Sequence, residues 1–217
     1  YQASFEIDFD SWTQSNTDDL NWTRDANDTP STNTGPSSAN NGANYIYVEA
    51  SGNGTGFPNK QAILNSPCFD LTGLSDAIFN FDYHMFGSDD FGSIALEASI
   101  DNGATWQELW SLTGNQGNQW VTQSINLTSY TGGTVQLRFN RITGGTWQAD
   151  LALDIFELDG TPITNASIPS TSKSQFITEA GSANILDNIK LYPNPVENGV
   201  YIQIQTATPV DFEVYTV

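Results

Sequence analysis

Apolar and polar residues alternate with period two along most of the chain. Phe5, Ile7 and Phe9 share one face of the first such stretch, and Glu6, Asp8 and Asp10 share the other. Phe79, Phe81, Tyr83 and Met85 lie opposite Asn80, Asp82 and His84, and Ile94, Leu96, Ala98 and Ile100 form the next set. Val121, Gln123, Ile125 and Leu127 follow, then Val135, Leu137 and Phe139, and Leu151, Leu153 and Ile155 close the series. A side chain on one face at every second residue marks a strand half buried in a layered sheet. Turn-rich tracts such as Ser51-Gly52-Asn53-Gly54 and Thr131-Gly132-Gly133 separate the runs. No window of about eleven residues carries a helical stripe. The pattern predicts an all-β chain whose main part is a two-sheet jelly-roll sandwich.

The alternation stops after Gly160. Residues 161–184 begin Thr-Pro-Ile-Thr-Asn-Ala-Ser-Ile-Pro-Ser-Thr-Ser-Lys, poor in aromatics and rich in Ser and Thr, which is linker composition. A second, shorter β pattern occupies residues 185–217 and breaks off at Val217 within an alternating run. The expected organisation is a sandwich domain over 1–160, a linker over 161–184 and the N-terminal part of a small, truncated β-sandwich over 185–217. The chain reads as a piece of a longer protein.

Charge narrows the partners. Twenty-five acidic residues face six basic ones, a net charge of −19 over 217 residues. A polyanion repels nucleic acid and anionic lipid headgroups, which leaves divalent cations, basic partners or neutral polymers such as glycans. Only 14% of residues are charged, so the acidity does not signal a disordered tail. No apolar run approaches the roughly 18 residues of a membrane helix, and no insertion into a membrane is expected. The lone Cys68 forbids an intrachain disulfide and, between Pro67 and Phe69, is expected to be a small, inert, buried residue.

The candidate chemistry is sparse. One histidine and one cysteine exclude His-x-x-x-His zinc spacing and mixed His/Cys sites. His84 sits mid-strand, where structural hydrogen bonding is expected, and no catalytic residue is assigned. Ser99-Ile100-Asp101-Asn102-Gly103-Ala104-Thr105-Trp106 resembles the Asp-box of sialidase propellers, present once. Its physical content is a tight turn that staples a hairpin.

Calcium is the sharpest expectation. Glu6 and Asp8 project from the opening strand and Asp154 lies in the closing one, two strands that neighbour each other in many jelly rolls. Asp28, before Thr29-Pro30, and Glu49 are the further ligands expected to converge on Ca²⁺, which takes six to eight oxygens. Trp12, Trp22 and Trp120 are expected in the core. Trp106, Trp110 and Trp147 stand near turns, where an indole can stack on a sugar ring.

Two resemblances extend this reading. Residues 1–160 resemble a MAM domain, the extracellular jelly roll of adhesion receptors, membrane-bound proteases and secreted bacterial proteins. The likeness is carried in order by Phe5-Glu6, Trp12-Thr13-Gln14, Asp18-Asp19-Leu20-Asn21-Trp22, Thr34-Gly35-Pro36-Ser37 and Tyr45-Ile46-Tyr47-Val48-Glu49-Ala50-Ser51. It continues through Ser66-Pro67, Tyr83-His84-Met85-Phe86-Gly87, Gly114-Asn115-Gln116-Gly117 with Trp120, and Asp150-Leu151-Ala152-Leu153-Asp154-Ile155. It implies a non-catalytic recognition or adhesion module with an extracellular protein or glycan as ligand, and a cation near these elements. Animal members usually carry two disulfides near these landmarks, whereas this chain has Ala3, Asp10 and Ile78 there. The alternatives are a carbohydrate-binding module of a polysaccharide-degrading enzyme and an accessory domain of a secreted metallopeptidase. Leu191-Tyr192-Pro193-Asn194-Pro195 with Gly199 and Val200-Tyr201-Ile202-Gln203-Ile204 resembles the opening of a type IX secretion sorting domain (type A). That implies a bacterial protein carried across the outer membrane by the type IX translocon, then secreted or held at the cell surface.

Overall fold

Strands form where the alternation runs unbroken between turn residues. A computed structural model describes residues 1–163 and the paired strands Ile189–Tyr192 and Tyr201–Ile204. The first eleven strands are β1 (Gln2–Ala3), β2 (Thr13–Gln14), β3 (Thr23–Asp25), β4 (Tyr45–Val48), β5 (Gln61–Asp70) and β6 (Leu74–Met85), followed by β7 (Gly92–Ser99), β8 (Gln107–Thr113), β9 (Gly117–Asn126), β10 (Thr134–Thr143) and β11 (Leu151–Pro162). They make two antiparallel sheets. One runs β3-β4-β11-β6-β9, with β1 also paired to β11; the other runs β2-β5-β10-β7-β8. From β5 onward the chain changes sheet at nearly every connection, as a jelly roll requires.

The inward faces meet in an aromatic core. Phe156 lies 4.7 Å from Trp12, 4.8 Å from Phe5 and 5.1 Å from Phe139 between ring centroids. The contacts with Trp12 and Phe5 are edge-on, the arrangement the ring quadrupoles favour. Trp12 and Trp22 are buried as expected.

Four local readings fail, each for a physical reason. Residues 4–10 do not form a strand: Phe5 adopts φ 58° and Asp10 φ 47°, so Phe5 is buried while Ile7 is 85% exposed. Asp10 shapes this loop, its Oδ2 accepting the Ser4 and Phe5 N–H groups at 2.8 Å each. Ile100 is 73% exposed because β7 ends at Ser99 and the turn begins there. At Ile155, φ 44° and a register shift against β6 make a bulge, so Phe156 takes the inward place. Cys68 is exposed, not buried; it lies across from Gln136 on the solvent side of β5.

One cation sits inside the sandwich. The Arg141 guanidinium donates to the carbonyls of Ser93 (3.1 Å), Ile142 (2.8 Å), Phe91 (2.8 Å) and Ala149 (2.7 Å), with the Phe91 ring 4.7 Å away. Burial pulls its pKa down to about 9, and Asp150 acts in the opposite direction. Five donors on a rigid plane let one side chain tie β7, β10 and the segment entering β11.

The chain divides after Asn165. In the second unit β12 (Ile189–Tyr192) pairs antiparallel with β13 (Tyr201–Ile204), Tyr192 opposite Tyr201. Leu191 and Tyr192 lie in β12; Pro193, Asn194, Pro195 and Gly199 lie outside the described residues, as do residues 164–184 of the expected linker. β11 runs to Pro162, two residues past the expected boundary. No helix of the described residues is long and apolar enough to cross a membrane.

Arg141→Leu is expected to lower unfolding stability by about 3–5 kcal/mol, because several buried carbonyls lose their donor at once. Urea denaturation checks this; a loss under about 1 kcal/mol would show that the guanidinium is dispensable.

Candidate functional site

The loop between β3 and β4 folds back over the outer face of the first sheet. The indole Nε1 of Trp120 donates to Ser38 O at 3.0 Å, and the Tyr45 hydroxyl donates to Asn27 O at 2.6 Å. Trp120 therefore packs outside the main core, with Tyr45, Tyr47, Ala39 and Ala152. Beneath this cover, residues that alternation would leave in water are buried: Asp82, His84 and Asp154.

Glu6 and Asp154, two of the expected ligands, both turn to the β3–β4 loop. Each accepts backbone N–H groups from residues 40–44. Asp154 Oδ2 takes Asn40 N (2.9 Å) and Asn41 N (3.0 Å), and Asp82 takes the Asn40 side-chain amide (2.6 Å). Glu6 Oε1 takes Ala43 N (2.9 Å) and Asn44 N (3.0 Å). Gly42, at φ 67°, stands between these anchors, where a Cβ would collide with the Glu6 carboxylate. Asp8 accepts Asp10 N within its own loop, and Asp28 lines a recess with Ser31, Asn33, Thr34, Phe86 and Asn118. The Asn44 and Ala43 N–H groups hold the Glu6 carboxyl below its usual value. Burial pushes Asp154 up to about 6 despite its N–H donors.

Of the expected ligands Glu49 alone keeps a buried oxygen without a donor, and it does so beside an acid that the strand pattern passed over. Leu151 pairs with Val48, so Glu49 and Asp150 are the next cross-strand neighbours at the end of β4. Glu49 Oε1 accepts from Ser31 Oγ (2.9 Å), Ser51 N (3.1 Å) and Ser51 Oγ, and Asp150 Oδ1 accepts Ala50 N at 2.9 Å. Glu49 Oε2 and Asp150 Oδ2 are both buried without a donor. The neighbouring Thr29 hydroxyl is turned to Thr34 O at 3.0 Å. Burial, reinforced by the Glu49 carboxylate, pushes Asp150 up to about 7 against the pull of the Ala50 N–H, the nearby Thr29 hydroxyl and the Arg141 guanidinium. Among the described residues no three His, Cys, Asp or Glu side chains cluster. A cation here would rest on two carboxylates completed by hydroxyl and carbonyl oxygens, which suits a hard ion. The legible signal was Asp150 itself, which shares strand parity with Asp154.

The aromatic candidates divide. Trp110 faces inward, 5.1 Å from Phe81 and 5.5 Å from Tyr83, so it is core and no platform. Trp147 is 41% exposed. Trp106 is half-buried; its Nε1 donates to Gly103 O at 3.1 Å and the Arg138 guanidinium lies 4.2 Å from its ring. The Asp-box is a hairpin staple, as expected: Asp101 accepts Thr105 N (2.9 Å), Thr105 Oγ1 (2.6 Å) and Ser99 Oγ (2.7 Å), which hold its carboxyl down to about 2. Gly103 turns the hairpin at φ 83°. His84 Nε2 is 3.0 Å from Asn118 Oδ1, its Nδ1 is buried without a partner, and burial lowers its pKa. Among the described residues no hydroxyl or carboxylate hydrogen-bonds His84, so the geometry of a nucleophile and base is not assembled.

Sequence reasoning missed the outer face of the second sheet. Arg138 Nε donates to Glu97 Oε2 at 2.6 Å, Asn140 Nδ2 to the same oxygen at 3.4 Å, and Gln61 Nε2 to Asn140 Oδ1 at 2.9 Å. Gln136 Nε2 donates to Ser66 O at 3.1 Å. The signal lay in the polar half of the β10 alternation, Gln136, Arg138 and Asn140, read only for its apolar half.

The raised pKa of Asp154 gives a pH profile. Its folded state holds a proton more tightly than the unfolded chain, so this contribution is full below about 4 and is lost as pH rises through about 6. At about 1.4 kcal/mol per unit, the loss approaches ~3 kcal/mol. Asp154→Asn is expected to reduce the fall in urea stability between pH 4 and 6.5, leaving the part that Asp150 contributes over the same range, and to speed amide exchange at Asn40 and Asn41; an unchanged slope would contradict this.

Comparison with known proteins agrees with the geometry. The family model for the MAM domain, meprin/A5/mu, matches residues 3–162. The chain is 28% identical over 213 residues to MAM domain-containing glycosylphosphatidylinositol anchor protein 2 of Mus musculus, covering 89% of this chain and 21% of that protein. It is 32% identical over 149 residues to the Gallus gallus protein 1 of that name, covering 65% of this chain and 15% of that protein. Among solved structures, the K1 cleaved adhesin domain of Lys-gingipain from Porphyromonas gingivalis W83 superposes with TM-score 0.52 at 18% identity, covering 74% of this chain and 98% of that one. That last likeness is one of fold. The chain spans about one fifth of the length of the curated relatives it matches. With its two-sheet sandwich and a family match over almost all of that sandwich, the chain belongs to the MAM domain family.

Proposed function

We propose that residues 1–162 form a non-catalytic recognition module of a secreted or surface-attached protein, stabilised by a bound calcium ion. MAM domains are extracellular, and the family match over residues 3–162 carries the reading. In support, the one histidine is committed to Asn118 and Trp120 beneath the loop. The purified chain is expected to bind members of a panel of extracellular proteins and polysaccharides saturably, without turnover of peptide, ester or glycoside substrates. Turnover lost on His84→Ala would overturn it.

The calcium reading moves from the opening strand to Glu49 and Asp150, and the two buried oxygens without donors support it. Calcium bound there would neutralise the pair and join the end of β4 to the start of β11. Chelation is expected to lower the melting temperature by roughly 5–10 °C, with calcium restoring it. Glu49→Gln with Asp150→Asn is expected to abolish that difference, and a melt indifferent to EDTA in the native chain would remove the site.

For the C-terminal segment we propose the start of a type IX sorting domain, supported by Leu191-Tyr192-Pro193-Asn194-Pro195 and the pairing of β12 with β13. A strain lacking the translocon is expected to retain the full-length protein in its periplasm; unchanged release would refute the assignment.

A further inference from the structure

The two sheets present opposite situations to solvent. The outer face of the first is roofed by the β3–β4 loop around Asp82, His84 and Asp154, while its far end, with Ile78 and Ser124, is open. On the second, Gln61 from β5, Gln136, Arg138 and Asn140 from β10, and Glu97 from β7 point outward and are partly buried, the Arg138 and Glu97 side chains being 21% and 16% exposed. Among the described residues, these five side chains hydrogen-bond only to one another and to the sheet's own backbone. Register places Arg138 across from both Asn65 and Glu97, so the polar row crosses three adjacent strands. Trp106, anchored by the Asp-box hairpin, lies against the guanidinium and limits its freedom.

The chemistry of this row is selective. Arg138 offers terminal guanidinium nitrogens beside Glu97, whose Oε1 makes no bond to another described side chain. Donor and acceptor therefore stand side by side, which matches a vicinal diol, where each hydroxyl both gives and takes a hydrogen bond. Amides from Gln61, Asn140 and Gln136 extend the same alternation of donor and acceptor. Charge argues in the same direction. The Arg138–Glu97 pair cancels within the row, and Glu108 of β8, across from Glu97, adds one exposed carboxylate at its edge, in a chain of net charge −19. A basic partner would be drawn to the acidic surfaces elsewhere, and an anionic one would be repelled by the whole molecule. A neutral, hydroxyl-rich chain has neither preference and finds its complement here. The row is also held in place before binding, which lowers the ordering cost of recognition.

We infer that the outer face of the second sheet is a binding surface for a neutral polysaccharide, with Arg138, Glu97 and Asn140 as the hydrogen-bonding centre and Trp106 as the positioning residue for Arg138. This rests on the recognition reading above and names its ligand class and its place. The test is affinity electrophoresis of the 217-residue chain in gels containing xylan, β-1,4-galactan, β-glucan or mannan, followed by calorimetry with oligosaccharides of any polymer that retards it. Retardation by at least one polymer is expected. Glu97→Gln, Arg138→Ala and Asn140→Ala are each expected to weaken it at least tenfold, with melting temperatures within a few degrees of the native chain. Trp147→Ala is expected to leave it unchanged. Binding kept in all three face variants, or lost only with Trp147→Ala, would overturn the assignment of the surface. A chain that binds none of the four polymers but binds a purified extracellular protein saturably would overturn the glycan class and leave the recognition reading standing. Enzymatic turnover would instead sink the recognition reading itself.

Discussion

Acids outnumber bases about four to one in this chain, and one of the few cations, Arg141, is spent inside the core. Carboxylates drawn under cover therefore have to find their partners in the backbone. Among the described residues only Lys60–Asp19 and Arg138–Glu97 form ion pairs. Asp154 and Glu6 instead collect N–H groups, and Arg141 collects carbonyls. A carboxylate accepting two N–H bonds gains charge-assisted hydrogen bonds without needing a second desolvated ion. The same constraint makes Glu49 and Asp150 conspicuous, since one oxygen of each lacks such a partner.

That solution shapes the molecule's two surfaces differently. The β3–β4 loop can lie on the first sheet because Asp154, Asp82 and Glu6 hold residues 40–44, and Trp120, Tyr45 and Tyr47 give it an apolar bed. Where the loop lies on it, the first sheet is buried on both faces. The outer side chains of the second sheet instead bond to one another and to the sheet's backbone. In the recognition reading proposed above, binding would fall to its amides and the Arg138–Glu97 pair, groups that act by hydrogen-bond geometry rather than by net charge.

The Asp-box hairpin links these ideas at small scale. Asp101 organises the turn by accepting from Ser99 and Thr105, and Gly103 supplies the left-handed backbone that brings Trp106 back over the sheet. A motif that looks catalytic by analogy acts here through turn geometry, and its product is the position of one indole against Arg138.

The sandwich was legible because period-two burial is a local property: Phe79, Phe81, Leu96, Leu137 and Phe139 all point inward as their spacing required. The family was legible because its landmarks stand in order along the chain. Ile7, Ile100, Ile155 and Cys68 were misread, because a turn or bulge resets the alternation and neither leaves a strong mark in hydropathy. The acids show the deeper limit. Composition alone established that carboxylates would be plentiful and their counter-charges few. Whether a given carboxylate meets an amide, another acid or nothing depends on which loop crosses above it. That is decided over separations of more than a hundred residues, as between Asn40 and Asp154, and only the folded chain brings such positions together.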